Sequence, residues 1–168
     1  MKAFDRHRKA LVAAARARQS GDASAAIDLL ATVLEVEPGH VAANAEMGRA
    51  LRLLGDPTEA EGYYRAAIEA VLEYSLVVEL AECLAEQHRF DDAEVLIDAA
   101  LAMAEGDPRR DPGEALVLRA TIALTQRRPE DARGALALII PKRASKRTKQ
   151  LAARLAADAD ASLPATSG

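Results

Sequence analysis

The 168-residue chain has no tryptophan, a single cysteine and only 3% aromatic residues. One thiol, Cys83, excludes an intramolecular disulfide and any multi-cysteine metal site. The scarcity of rings leaves no platform for stacking nucleotide bases. A net charge of −4 lacks the basic excess of a dedicated nucleic-acid binder, so no nucleic-acid partner is expected. No apolar run reaches the roughly 20 residues a membrane-spanning helix needs, so no membrane insertion is expected. The stretch Ala10 to Ala15 is too short for an export signal and ends at Arg16 and Arg18, and with a single cysteine a reducing cytoplasm is the simplest expected compartment. Strand-type alternation is also missing: Leu76-Val77-Val78 and 136–140 lie inside longer segments of helical period.

Signs of chemistry are equally sparse. No glycine-rich phosphate loop and no nucleophile motif accompanies the many carboxylates. His7, His40 and His88 are far apart in sequence, at turns and segment edges. Cys83 falls in mid-helix, where a buried small apolar residue is the ordinary reading. No enzyme activity, no cofactor and no metal site is expected.

What the chain has is alanine, the strongest helix former, in a recurring pattern. Ala26, Ala60, Ala93 and Ala132 each follow a turn and open an apolar helical stretch, in steps of 34, 33 and 39 residues. A period near 34 is that of a helix-turn-helix solenoid, whose units bury their apolar faces only against neighbours. The expected fold is all-α: a right-handed α-solenoid of antiparallel helix pairs with a C-terminal capping helix. Units are expected at about 7–40, 41–73, 74–106 and 114–140, after a short lead over 1–6 with Asp5 as a helix cap. Gly55-Asp56-Pro57-Thr58-Glu59 supplies a C-cap glycine, an N-cap aspartate, a first-turn proline and an acidic third position within five residues. Turns are also expected at Ser20-Gly21-Asp22, at His88 and at Arg128-Pro129. The proline-bounded loop 106–113 accounts for the 39-residue step and is expected to be mobile. A basic helix over 141–158, with Leu151 and Leu155 on one face, is expected to cap the array. A disordered tail is expected over 159–168.

In this register the chain resembles the tetratricopeptide repeat family. Ala14, Gly48, Ala81 and Ala120 match its small residue in mid first helix, and Ala26, Ala60, Ala93 and Ala132 its small residue early in the second. Leu30, Tyr64, Ile97 and Leu136 match the bulky position that follows, and Val33, Ala67, Ala100 and Ile139 the smaller one after it. Small residues stand where backbones cross and large ones fill the gaps between. Arg119 departs from the pattern, where the family has a bulky apolar residue, and an unpaired buried Arg would be costly. A narrower resemblance, through Tyr63-Tyr64 and Ala81-Glu82-Cys83-Leu84, is to helical-repeat chaperones of type III secretion translocators.

The family resemblance implies a non-catalytic adaptor or co-chaperone-like module that binds a protein or peptide partner in a groove lined by the first helix of each unit. The implied groove residues are Arg18, Arg49, Arg52, Val78, Glu79, Glu82, Glu86 and Leu118, flanked by Val12, Glu46 and Val117. Spacing agrees for part of the set: Arg49 and Arg52 share a helical face, as do Glu79, Glu82 and Glu86. The groove would be basic in its amino half and acidic in its middle, with Val78, Val117 and Leu118 adding apolar contacts. The alternative is that these charges pair among themselves. Two other functions stay open: a secretion chaperone for a client protein, and a self-assembling scaffold that forms a homo-oligomer. The grip on a chaperone's C-terminal carboxylate found in some family members is excluded, since its Lys, Arg and Asn positions are Leu11, Ala15, Glu46, Ser75 and Glu79 here. The basic cluster Lys142, Arg143, Lys146, Arg147 and Lys149 is read as the soluble face of the terminal helix.

Overall fold

A computed structural model describes residues 2–107 and 109–162, with side chains from Arg6 onward. Among the described residues the only regular elements are helices: α1 (Lys2–Gln19), α2 (Ala23–Leu34), α3 (Val41–Leu54), α4 (Pro57–Ala70), α5 (Tyr74–Glu86), α6 (Phe90–Glu105), α7 (Gly113–Thr125), α8 (Pro129–Ala137) and α9 (Lys146–Ser162). They form two compact units divided between Arg89 and Phe90, inside the third sequence repeat.

In the first unit α1 packs on α2 and α3, α3 on α4, and α4 on α5. The caps follow the sequence. Asp22 and Asp56 accept hydrogen bonds from the backbone N–H of Ala25 and Glu59, and Pro57 opens α4 without losing a helical donor. Gly21 and Gly55 close the preceding helices in the left-handed region, at φ 89° and 83°. His88 and Arg127 hold the equivalent position after α5 and α7 at φ 59° and 58°, where a Cβ is strained.

The core is small residues set against a few large ones. Ala14, Ala26, Ala60, Ala67 and Ala81 have no exposed surface, and neither have Leu30 and Tyr64. At the α3–α4 crossing, a Cβ built on Gly48 would lie 2.8 Å from the Tyr64 ring. The glycine is what lets the two backbones close on that ring. Cys83 is fully buried and donates its S–H to the Pro57 carbonyl at 2.9 Å, and burial pushes the thiol up from its usual pKa.

In the second unit α6 packs on α7, and α9 lies against both α7 and α8. An alanine cluster of Ala120, Ala123, Ala132, Ala135 and Ala159 joins these helices, with Leu124, Leu136 and Leu155 packed against it. The polar loop before α7 is anchored. The Asp111 carboxylate accepts from Gly113 N–H at 2.9 Å and from Ser145 N–H at 3.2 Å, tying the start of α7 to the residue before α9.

Several expectations need correction. Helix α1 begins at Lys2, so residues 2–6 form no separate lead and Asp5 lies inside α1. No breaker separates Lys2 from the alanines that follow. Helix α9 runs to Ser162 where a tail was expected from 159, because Ala159 is fully buried in the alanine cluster; residues 163–168 lie outside those described. Leu151 is 42% exposed and does not share the half-buried position of Leu155. The fourth unit is short, since α8 ends at Ala137 and Ile139 falls beyond it.

Candidate functional site

Helices α1, α3 and α5 are the first helices of three successive repeats, and their polar residues meet in one ladder of ion pairs. The Arg18 Nε donates to Glu46 Oε2 at 2.9 Å. The Arg49 guanidinium bridges its own helix and the next: one nitrogen lies 2.6 Å from Glu46 Oε1, while Nε and Nη2 form a two-point contact with Glu79 at 2.9 and 2.6 Å. Arg52 forms the same two-point contact with Glu86 at 2.9 and 2.6 Å and lies 2.9 Å from Glu82. The paired fork geometry of guanidinium and carboxylate gives these contacts direction as well as charge.

The local environment orders the charges. Burial works against the Glu46 carboxylate, but hydrogen bonds from Arg18 and Arg49 outweigh it and leave its pKa below the ordinary value. Burial raises Glu79, and Arg49 only partly offsets it, with Glu82 adding like-charge repulsion. Burial likewise opposes the charge on Arg49 and Arg52, yet their glutamate partners raise both pKa values and keep both guanidinium groups charged. Around Arg52 the two kinds of partner differ in exposure. Arg52 is 18% exposed, whereas Glu82 and Glu86 are 41% and 43% exposed.

The structure therefore brings Arg18, Arg49, Arg52, Glu79, Glu82 and Glu86 together, but as partners of one another or, for Arg18, of Glu46. The expected division into a basic half and an acidic middle is replaced by internal pairing, because each arginine reaches a glutamate on the next first helix, 28 to 34 residues further along the chain. Val78 and Leu118 are corrected as well: at 3% and 8% exposure, with Val117 at 7%, they are core residues and offer no apolar surface to a partner. Arg119 is not an unpaired buried charge. It reaches Glu94 at 2.8 Å and Asp98, both on α6, and these contacts raise its pKa against the cost of burial. The basic residues at 142, 143, 146, 147 and 149 are all exposed.

One grouping escaped the sequence reading. His7 on α1, Glu37 in the α2–α3 turn and His40 at the start of α3 converge, with one potential ligand atom from each lying within 4.8 Å of the others. His7 and His40 are 33 residues apart, one repeat period, and this was the available clue that they are neighbours in space.

Two family models described as "Tetratricopeptide repeat" match residues 17–77 and 78–147. Comparison with curated proteins finds no match. Among solved structures, a Pseudomonas aeruginosa pilF structure superposes with a TM-score of 0.73 at 17% identity, covering 95% of this chain and 69% of that one. A MamA structure gives 0.66 at 15% identity, covering 95% and 88%. A tetratricopeptide repeat protein from Parabacteroides merdae gives 0.66 at 17% identity, covering 94% of this chain and 63% of its own length. At these identities the likeness shows the fold, an α-solenoid of antiparallel helix pairs. No helix among the described residues is long and apolar enough to cross a membrane. With the repeat period, the buried alanines and the two model matches in agreement, the chain belongs to the tetratricopeptide repeat family, whose members are in general protein–protein interaction modules.

Proposed function

We propose that this chain is a non-catalytic adaptor that holds a basic segment of a partner protein on the face formed by α1, α3 and α5. The observation that carries the reading is the uneven exposure of the ladder: the Glu82 and Glu86 carboxylates stand open while Arg52 between them is covered. An incoming Lys or Arg meets carboxylates already positioned by Arg52, so little side-chain ordering is left to be done on binding. The ladder also holds four glutamates against three arginines, which leaves its open side acidic.

Charge alone would bind weakly, since exposed pairs contribute about 0.2–1 kcal/mol each. Micromolar affinity corresponds to about −8 kcal/mol and requires apolar contact. Val12 and Leu53, 48% and 52% exposed, take the role first given to Val78 and Leu118. Val12 occupies in the first repeat the position of Glu46 and Glu79 in the next two, and Leu53 lies one helical turn beyond Arg49.

Reversing Arg49 and Arg52 would unclamp α3 from α5, so the informative variants lie on the open side. A peptide library passed over the immobilised full chain should enrich Lys- and Arg-containing segments. Glu82→Gln with Glu86→Gln should reduce their capture at least tenfold while circular dichroism stays unchanged. Equal capture by the variant, or enrichment of acidic segments, would place the binding surface elsewhere.

A further inference from the structure

We infer that His7, Glu37 and His40 form a binding site for a divalent transition-metal ion of the zinc class. The three residues come from different parts of the first unit. His7 lies in α1 and is 16% exposed at its side chain, Glu37 projects from the α2–α3 turn, and His40 is the N-cap of α3. Their ligand atoms all lie within 4.8 Å of one another, and His7 Nδ1 is 3.5 Å from Glu37 Oε2. The two imidazole rings stand 6.0 Å apart, at 72° to each other, edge-on and not stacked.

Tetrahedral coordination with metal–ligand bonds of about 2.0–2.2 Å sets ligand atoms roughly 3.3 Å apart. Closing the cluster by that margin takes rotation of the two histidine rings as well as of the Glu37 side chain, which is 57% exposed. Two imidazoles and one carboxylate suit zinc and its neighbours. Calcium and magnesium prefer all-oxygen sites and are selected against. Three protein ligands leave a fourth position for water.

The site has a built-in cost that marks it. His40 Nδ1 accepts a hydrogen bond from the Ala43 N–H at 3.3 Å, so the neutral ring carries its proton on Nε2. Ligation through Nδ1 takes that lone pair from Ala43. Ligation through Nε2 moves the proton to Nδ1, which then can no longer accept. Either way metal binding releases the cap and replaces it with a link from α1 to the α2–α3 turn. The ion would then act as a clip that closes the first repeat.

The test uses the full chain, untagged and stripped of metal. Titration with zinc chloride in a calorimeter should show one ion per chain and a raised melting temperature, with magnesium giving neither. Cobalt(II) should give the visible absorption of a tetrahedral N/O site. His7→Ala should weaken zinc binding at least tenfold and abolish the thermal shift. His40→Asn should do the same while keeping a side-chain acceptor for Ala43, so loss of the helix cap does not mimic loss of the ligand. Absence of stoichiometric binding to the wild type would overturn the inference, as would equal zinc affinity in the His7→Ala/His40→Asn double variant.

Discussion

Gly48 and Tyr64 show how single positions decide packing in this chain. Alanine in place of a mid-helix glycine ordinarily stabilises by about 1 kcal/mol through backbone entropy. Here the new Cβ would lie 2.8 Å from a ring that has no exposed surface. Overpacking costs typically about 1–3 kcal/mol and should win, so Gly48→Ala is expected to lower the denaturation midpoint in urea. Arg127 presents the opposite case. It is exposed and sits at φ 58°, a conformation that glycine adopts without strain. Arg127→Gly should therefore stabilise by about 1 kcal/mol, read as a raised midpoint with an unchanged denaturant slope.

At the scale of elements, the terminal helix depends on a loop. Asp111 accepts backbone hydrogen bonds next to two helix starts, at Gly113 and Ser145. The loop expected to be mobile thus acts as a joint between α7 and α9. Side-chain to backbone hydrogen bonds of this kind contribute about 0.5–1.5 kcal/mol each. Asp111→Ala should destabilise by that order and speed amide hydrogen exchange at Gly113 and Ser145, whereas exchange in α1–α5 should be unaffected. Arg119 makes a related point about elements. A charge where the family places an apolar residue is accommodated because α6 offers Glu94 and Asp98 across the helix pair. Sequence periodicity identifies such a position as unusual but says nothing of the carboxylates opposite it.

At the scale of the whole molecule, acid should be the effective denaturant. Glu46 and Glu61 have folded pKa values below the ordinary 4.5: burial opposes them, but the hydrogen bonds each accepts, from Arg18 and Arg49 and from Arg65 and Gln87, outweigh it. Groups lowered in this way contribute stability that is present above pH 4.5 and lost as pH falls through their folded values. Glu79 is raised, so its contribution runs the other way and is lost as pH rises through its folded value. Glu46 and Glu61 set the expected sign, and the melting temperature should fall as pH drops below about 4.5. Glu46→Gln should flatten that dependence, as followed by thermal unfolding across pH 3–7 in low salt. A melting temperature that does not change over that range would show that the ladder contributes little to the fold.

The helix pairs, their caps and the repeat period were legible in the residues themselves, because each rests on local chemistry: alanine where helices cross, glycine or aspartate at ends, proline at a first turn. The candidate face was half legible. Helical spacing grouped Arg49 with Arg52 and Glu79 with Glu82 and Glu86, but not the contacts between helices that turn separate charges into a ladder. Nor did it separate Val78, which neighbouring helices cover, from Val12, which they leave open. The meeting of His7, Glu37 and His40 belongs to the same class. Proximity across 33 residues is created by how one hairpin nests on the next, and only the packed chain decides which side chains that nesting brings face to face.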